Sequence, residues 1–171
     1  EYFAVISAIK ELYRGKMAIL LGTELDLFSD KPTLPYDYTI GSVHFVKKDG
    51  EFIEVDSNPA SVYETVTRLY GEDISLYAED FFRTASEVVK VTDCDIIGHI
   101  DLITKGIERV DAFRQCFTPE NPRYRRAALD AIDALLPYDR IFEINTGAMA
   151  RGLRTDAYPA APIREYLRSR G

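Results

Sequence analysis

The sequence predicts an α/β fold built from parallel β-α units, and three observations carry that expectation. Short stretches rich in β-branched and aromatic residues alternate with longer ones whose apolar residues recur every three or four positions. Proline, glycine and small polar residues punctuate the joins. With 171 residues, 46% of them hydrophobic and 29% charged, the chain is long enough to bury a core without disulfides or a structural metal.

In residues 1–14, Phe3, Val5, Ile6, Ile9 and Leu12 fall at helical spacing and Gly15 follows as a stop, so an amphipathic helix is expected. Residues 17–27 (MAILLGTELDL) are a short apolar run ending in acidic residues, the pattern of a strand buried on both faces. Residues 38–46 (YTIGSVHFV), bounded by Pro35 and by Lys47-Lys48-Asp49-Gly50, read as a second strand, with a hairpin arm at 51–55. Ser57 as N-cap, Pro59 at the start and Gly71 at the end frame a helix over 59–70. Asp73 opens another that runs through Val89. Residues 95–103 (DIIGHIDLI) and 140–145 (RIFEIN) are the third and fourth strands. Between them Asn121-Pro122 starts a helix over 123–136, which Pro137 ends, and a last helix covers 159–168.

Four such units fit either a doubly wound sheet or the middle of a closed barrel of seven or eight strands. No repeat of fixed period and no linker divides the chain, so one domain is expected. Glu1 already lies in a helical pattern and Gly171 directly follows one, so that domain is expected to lack N-terminal and C-terminal portions here.

A net charge of −7 argues against general affinity for nucleic acid. The longest apolar run, residues 17–22, is far short of the roughly 20 residues of a membrane-spanning helix. Cys94 and Cys116 form neither a disulfide framework nor a zinc ribbon; they are expected as small buried side chains in a reducing, cytoplasmic compartment.

The two histidines, His44 and His99, each fall in the C-terminal half of an expected strand, and Glu24 ends the first strand in the same way. In parallel sheets and barrels, catalytic groups gather where strand C-termini meet the following loops. Two imidazoles and a carboxylate from three strands make a ligand set for a zinc- or manganese-like ion. The plainer alternative is three polar rim residues satisfied within the fold. Glu143 and Asn145 share one side of the fourth strand by the period of two, and would orient ligands or bind substrate, or else satisfy rim backbone groups. The run Arg123-Tyr124-Arg125-Arg126 reads as a solvated helix face.

Residues 36–46 (YDYTIGSVHFV), 98–102 (GHIDL) and 143–147 (EINTG), with Tyr158-Pro159 downstream, together resemble the histidinol-phosphatase branch of the PHP (polymerase and histidinol phosphatase) superfamily. Residues 22–26 (GTELD) resemble its glutamate motif. The resemblance runs in order through nearly the whole chain. It implies a distorted (β/α)7 TIM-like barrel holding two or three divalent ions, Zn, Mn or Fe. The implied activity is phosphomonoester hydrolysis, histidinol phosphate and water giving histidinol and phosphate in histidine biosynthesis. By match to motif, Glu24 would bridge two ions, and His44 and His99 would ligate one of them. The family's opening His-x-His motif, a further upstream ligand and the closing Asp-x-His motif are not among these 171 residues. Their usual places lie before residue 1 and after residue 171, so the chain resembles a central segment that alone turns over little or no substrate.

Guanidinium forks suit a phosphate dianion, which makes Arg151 and Arg154 the substrate-binding candidates alongside Glu143 and Asn145. Asp101, two residues past His99 on the expected strand, is a candidate proton donor to the leaving group or an orienting residue, or else a loop cap. Two other readings stay open: a degenerate, non-catalytic PHP-type module, and a PHP-type phosphoesterase acting on another ester or on nucleic acid. The acidic balance counts against nucleic acid.

Overall fold

The structure, a computed structural model, describes residues 2–171. Helix α1 (Tyr2–Leu12) opens it. Strands β1 (Gly22–Asp26) and β2 (Tyr38–Ser42) pair in parallel, with Gly22 opposite Tyr38 and Asp26 opposite Ser42. Strands β3 (Phe45–Lys48) and β4 (Glu51–Glu54) form an antiparallel hairpin. Its two turn residues, Asp49 and Gly50, both have positive φ, as the favoured two-residue hairpin turn requires. Helices α2 (Pro59–Tyr70), α3 (Ile74–Ala85) and α4 (Val88–Thr92) lead to β5 (Ile96–Ile97), parallel to β2. A 3-10 turn (Leu102–Gly106), α5 (Asp111–Cys116) and α6 (Pro122–Leu135) lead to β6 (Ile141–Phe142), parallel to β5. Helices α7 (Gly147–Ala150) and α8 (Ala161–Arg170) complete the chain.

The four parallel strands stand in the order β1-β2-β5-β6, the order in which the chain makes them. A doubly wound sheet reverses direction at a switch point, whereas an arc of a barrel runs on in sequence. The described strands have the barrel's order. Helix starts follow their local chemistry. The Asn58 side chain accepts from the Ala60 N–H (3.0 Å), Asp73 from Leu76 (3.3 Å) and Asn121 from Arg123 (3.0 Å), with Pro59 and Pro122 just inside their helices. The core lies where α3 and α6 meet, with Phe82 and Tyr124 edge to face at 5.3 Å, and continues under β2, β3 and β5 through Val43, Val46 and Ile97. Among the described residues no helix is long and apolar enough to cross a membrane.

Each expected strand is longer than the one observed, for a common reason: a strand lasts only where a neighbour pairs with it. Residues 17–21 lie outside the ladder, where the Leu21 N–H donates to the Asp37 carboxylate and Met17 stays 61% exposed. Nor is the first strand buried on both faces, since Glu24 is exposed. The run 38–46 breaks after Ser42, because the His44 N–H is taken at 2.7 Å by the Asp26 carboxylate. The run 95–103 stops at Ile97: the His99 N–H donates to the Glu143 carboxylate (3.0 Å), and Leu102 bonds back to the His99 carbonyl (2.9 Å) to start a turn. The run 140–145 keeps Ile141–Phe142 as strand, and Asn145 pairs with Tyr158 in an isolated bridge. Asn58 rather than Ser57 caps α2, the expected helix over 73–89 divides at Ser86-Glu87, and the last helix begins at Ala161.

Cys94 is fully buried against Gly41, where an added Cβ would meet its sulfur at 2.4 Å and the Thr92 hydroxyl at 2.9 Å. Gly41→Ala is therefore expected to cost about 1–3 kcal/mol in denaturant unfolding. Adding Cys94→Ala should recover part of that loss, and a double variant less stable than both singles would contradict the close-approach reading.

Candidate metal centre

Glu24 sits in the middle of β1, and its Oε1 is the meeting point of three other groups. The Ser42 hydroxyl donates to it at 2.6 Å, His99 Nε2 lies 3.1 Å away and His44 Nε2 3.3 Å away. One donor atom from each of Glu24, His44 and His99 falls within 4.8 Å of the others. Bonds near 2.1 Å to a shared ion limit a donor pair to about 4 Å, so a small approach of the two imidazoles completes the set. His44 and His99 stand edge to face with ring centroids 5.2 Å apart. A carboxylate and two imidazole nitrogens suit a borderline divalent cation, and the cluster could hold one. Behind His44, Nδ1 lies 3.4 Å from the Asp26 carboxylate, the outer arrangement that metal-binding histidines favour. Nδ1 of His99 is buried without a hydrogen-bond partner.

The charges here are strongly coupled. Hydrogen bonding to Asp26, then to Glu24, raises the His44 pKa to about 10 against a burial that would lower it. Hydrogen bonds from His44 and then His99 hold the Glu24 carboxyl far below the usual carboxylate range, over the opposing effect of burial. Burial alone would raise Asp26, but the His44 ring and the N–H groups of His44 and Phe28 outweigh it and leave the carboxyl lowered. Complete burial pushes Asp101 up to about 6, opposed by the Ala160 N–H and the Arg154 charge.

Glu143 and Asn145 do share a side, and Asn145 Nδ2 donates to Glu143 Oε1 at 3.1 Å. Both are engaged in holding backbone: Glu143 takes the His99 N–H, and Asn145 Oδ1 takes that of Gly147 at 2.9 Å. Asp101 is not on a strand face with His99, because the chain has already turned; its Oδ2 accepts from Ala160 at 2.8 Å in a fully buried position. Arg151 is exposed beside Gly147 and Asn145. Arg154, a substrate-binding candidate by residue type, is 5% exposed: its guanidinium lies 4.4 Å over the Tyr158 ring and donates to the Thr104 hydroxyl. Its route to the site is through Tyr158, whose ring is 6.4 Å from that of His99. Ser42 and Asp26 escaped the sequence reading, although the period of two places Asp26 on the side of Glu24 and Ser42 on that of His44. Cys116 is half-buried; of the run 123–126 expected as a solvated face, Tyr124 is instead buried in the core and Arg123 is tied to Glu79 and Asp73.

No family model matches the chain. Curated relatives do. Proteins named probable histidinol-phosphatase from Deinococcus radiodurans and Schizosaccharomyces pombe are 28% and 26% identical across 100% of the chain, which covers 60% and 56% of them. The histidinol-phosphatase of Bacillus subtilis is 31% identical over 63% of the chain and 45% of that protein. The chain thus spans about half the length of the curated relatives it matches. A crystal structure from Listeria monocytogenes, described as that of a candidate histidinol phosphatase, superposes on 98% of the chain and 65% of its own with a TM-score of 0.74 at 19% identity. The chain shares that fold and is related in sequence to the histidinol-phosphatases.

One consequence of the coupled charges is open to measurement in metal-free protein. The raised pKa of His44 gives stability that is complete below its ordinary value of 6.5 and is lost as pH rises through about 10. The lowered carboxyls of Asp26 and Glu24 give stability that is present above their ordinary 3.8 and 4.5 and is lost as pH falls. Both describe one cluster, so its contribution is lost at both ends. Asp26→Asn should lower Tm at neutral pH, and the deficit should shrink above about pH 10. A deficit that stays constant across that range would contradict the pairing of Asp26 with His44.

Proposed function

We propose that the protein is part of a metal-dependent phosphomonoesterase of the histidinol-phosphatase type, a single PHP-type domain that hydrolyses histidinol phosphate to histidinol and phosphate. The observation that carries this reading is the convergence of Glu24, His44 and His99, which lie on the segments where the sequence resembles that family. Kinship across the whole chain with proteins named histidinol-phosphatase supports it. In this reading the three side chains hold a divalent ion, Zn, Mn or Fe, in a site for two or three such ions. When bound, such ions supply a water of lowered pKa and positive charge for the phosphoryl oxygens.

The chain's own groups have distinct tasks in this reading. Asp26 fixes the His44 ring so that Nε2 faces Glu24, and Glu143 anchors the backbone of His99. Ser42 aims the Glu24 oxygen. Arg151, exposed and without a carboxylate partner among the described residues, is the cation able to meet a substrate phosphate beside Asn145. His44 must lose its proton when metal enters, so metal uptake weakens as pH falls. The reading places the protein in the cytoplasm, where the free Cys94 and Cys116 stay reduced.

The test is phosphate release from histidinol phosphate by the natural full-length chain loaded with Zn or Mn. Exhaustive chelation should abolish release, and His99→Ala should lower it by about a hundredfold or more. Full activity after chelation would overturn the metal reading. The 171 residues alone should release little, since three ligands do not complete a site for several ions. Equal turnover by the segment and the full-length chain would overturn the ligand assignment.

A further inference from the structure

Five buried polar atoms without hydrogen-bond partners belong to side chains grouped behind His99. They are Nδ1 of His99, Oδ1 of Asp101, Nε of Arg154 and the hydroxyls of Tyr124 and Tyr158. Contacts connect them. The Arg154 guanidinium lies over the Tyr158 ring, and that ring stands edge to face with the His99 ring. Burial, then the Asp101 charge, raises the pKa of the Tyr124 hydroxyl, and the Arg154 charge opposes it. Asp101 is 0% and Arg154 5% exposed, and neither enters a contact ion pair among the described residues. A buried charge is costly unless another charge compensates it, and the Arg154 charge acts on Asp101 as it also does on Glu108, whose carboxylate holds the N–H of Thr155.

Their hydrogen bonds bridge two segments of chain. Asp101 Oδ2 holds the N–H of Ala160, and Arg154 holds the Thr104 hydroxyl, which itself donates to the Asp101 carbonyl at 2.8 Å. The turn that follows His99 is thereby fastened to residues 154–160, with Tyr158 between the fastening and the imidazole. We propose that Asp101 and Arg154 are positioning residues, a mutually compensating buried pair that presses Tyr158 against His99 and so sets the direction in which its Nε2 faces Glu24. The purpose of that positioning rests on the metal reading; the pairing itself does not, and metal-free protein reports it.

The experiment compares Asp101→Asn, Arg154→Met, their double variant and the core control Leu135→Ala, all metal-free. It reads Tm and the imidazole 1H–15N spectrum of the 171-residue chain, which contains two histidines. Each single should lower Tm, and the double should melt no lower than the worse single. Both singles should move the His99 ring signals, whereas Leu135→Ala should lower Tm without moving them. Losses of Tm that simply add, or His99 signals that match those of the core control, would overturn the proposal. Arg154→Lys, which keeps the charge, should recover at least half of the Tm lost in Arg154→Met; equal loss would overturn the compensation and guards against a single variant that fails to fold. A parallel Zn2+ titration should show each single weakening affinity by about tenfold. Unchanged affinity would overturn the positioning of His99, while a wild-type protein that takes up no Zn2+ would overturn only the metal reading and leave the pairing decided by Tm and the ring spectrum.

Discussion

A single carboxylate oxygen, Oε1 of Glu24, organises the candidate metal centre. It accepts from Ser42 and faces Nε2 of both His99 and His44, so three stretches of chain distant in sequence are tied to one point. That convergence requires β1, β2 and β5 to be adjacent and parallel, with their C-terminal ends at one level. The sequential strand order supplies the adjacency, and the parallel ladder in which Asp26 faces Ser42 supplies the level. Glycine makes the approach close enough. A Cβ at Gly98 would stand 2.5 Å from the Ser42 hydroxyl, the group that aims Glu24. Two carboxylates on one side of β1 would repel each other, and His44 between them, as imidazolium or as ligand to a cation, relieves that repulsion.

The strands end where carboxylates from neighbouring strands replace backbone carbonyls as acceptors. Asp26 of β1 captures the N–H of His44 just past β2, and Glu143 just past β6 captures that of His99 just past β5. Each capture diverts the chain from the ladder and leaves an imidazole anchored through its backbone. A hydrogen bond of this kind, from N–H to a charged acceptor, is stronger than the ladder bond it displaces. The same groups therefore terminate the sheet and hold the candidate ligands, which is why short strands and the site occur together. Asn145, bonded to Glu143 and to Gly147, extends the arrangement to the turn that carries Arg151.

Much of the fold was legible in the sequence, because helix starts and strand formers act locally. Pro122 after Asn121, and Asp73 before an apolar face, announce α6 and α3 through chemistry confined to one turn. The two histidines and Glu24 were legible as a group, since position near strand ends carries over from sequence to space. Strand lengths were not, because what stops β2 and β5 is a carboxylate on another strand. Helical spacing identified α1 but not its burial: periodicity tells which residues share a face, not whether anything covers it, and Val5 and Leu12 stay exposed. Residue type and position after the fourth strand suggested a substrate-binding Arg154, whereas the return of residues 154–160 onto the turn after His99 buries it.

Whether Glu24, His44 and His99 share one ion decides the role of the whole site. Crystals of Zn-loaded full-length protein, measured on either side of the zinc absorption edge, would locate the metal independently of any activity. The expected result is an anomalous peak bonded at about 2.0–2.2 Å to Oε1 of Glu24 and to Nε2 of both His44 and His99. A peak that touches at most one of these side chains, or zinc held at a different place in the fold, would contradict it.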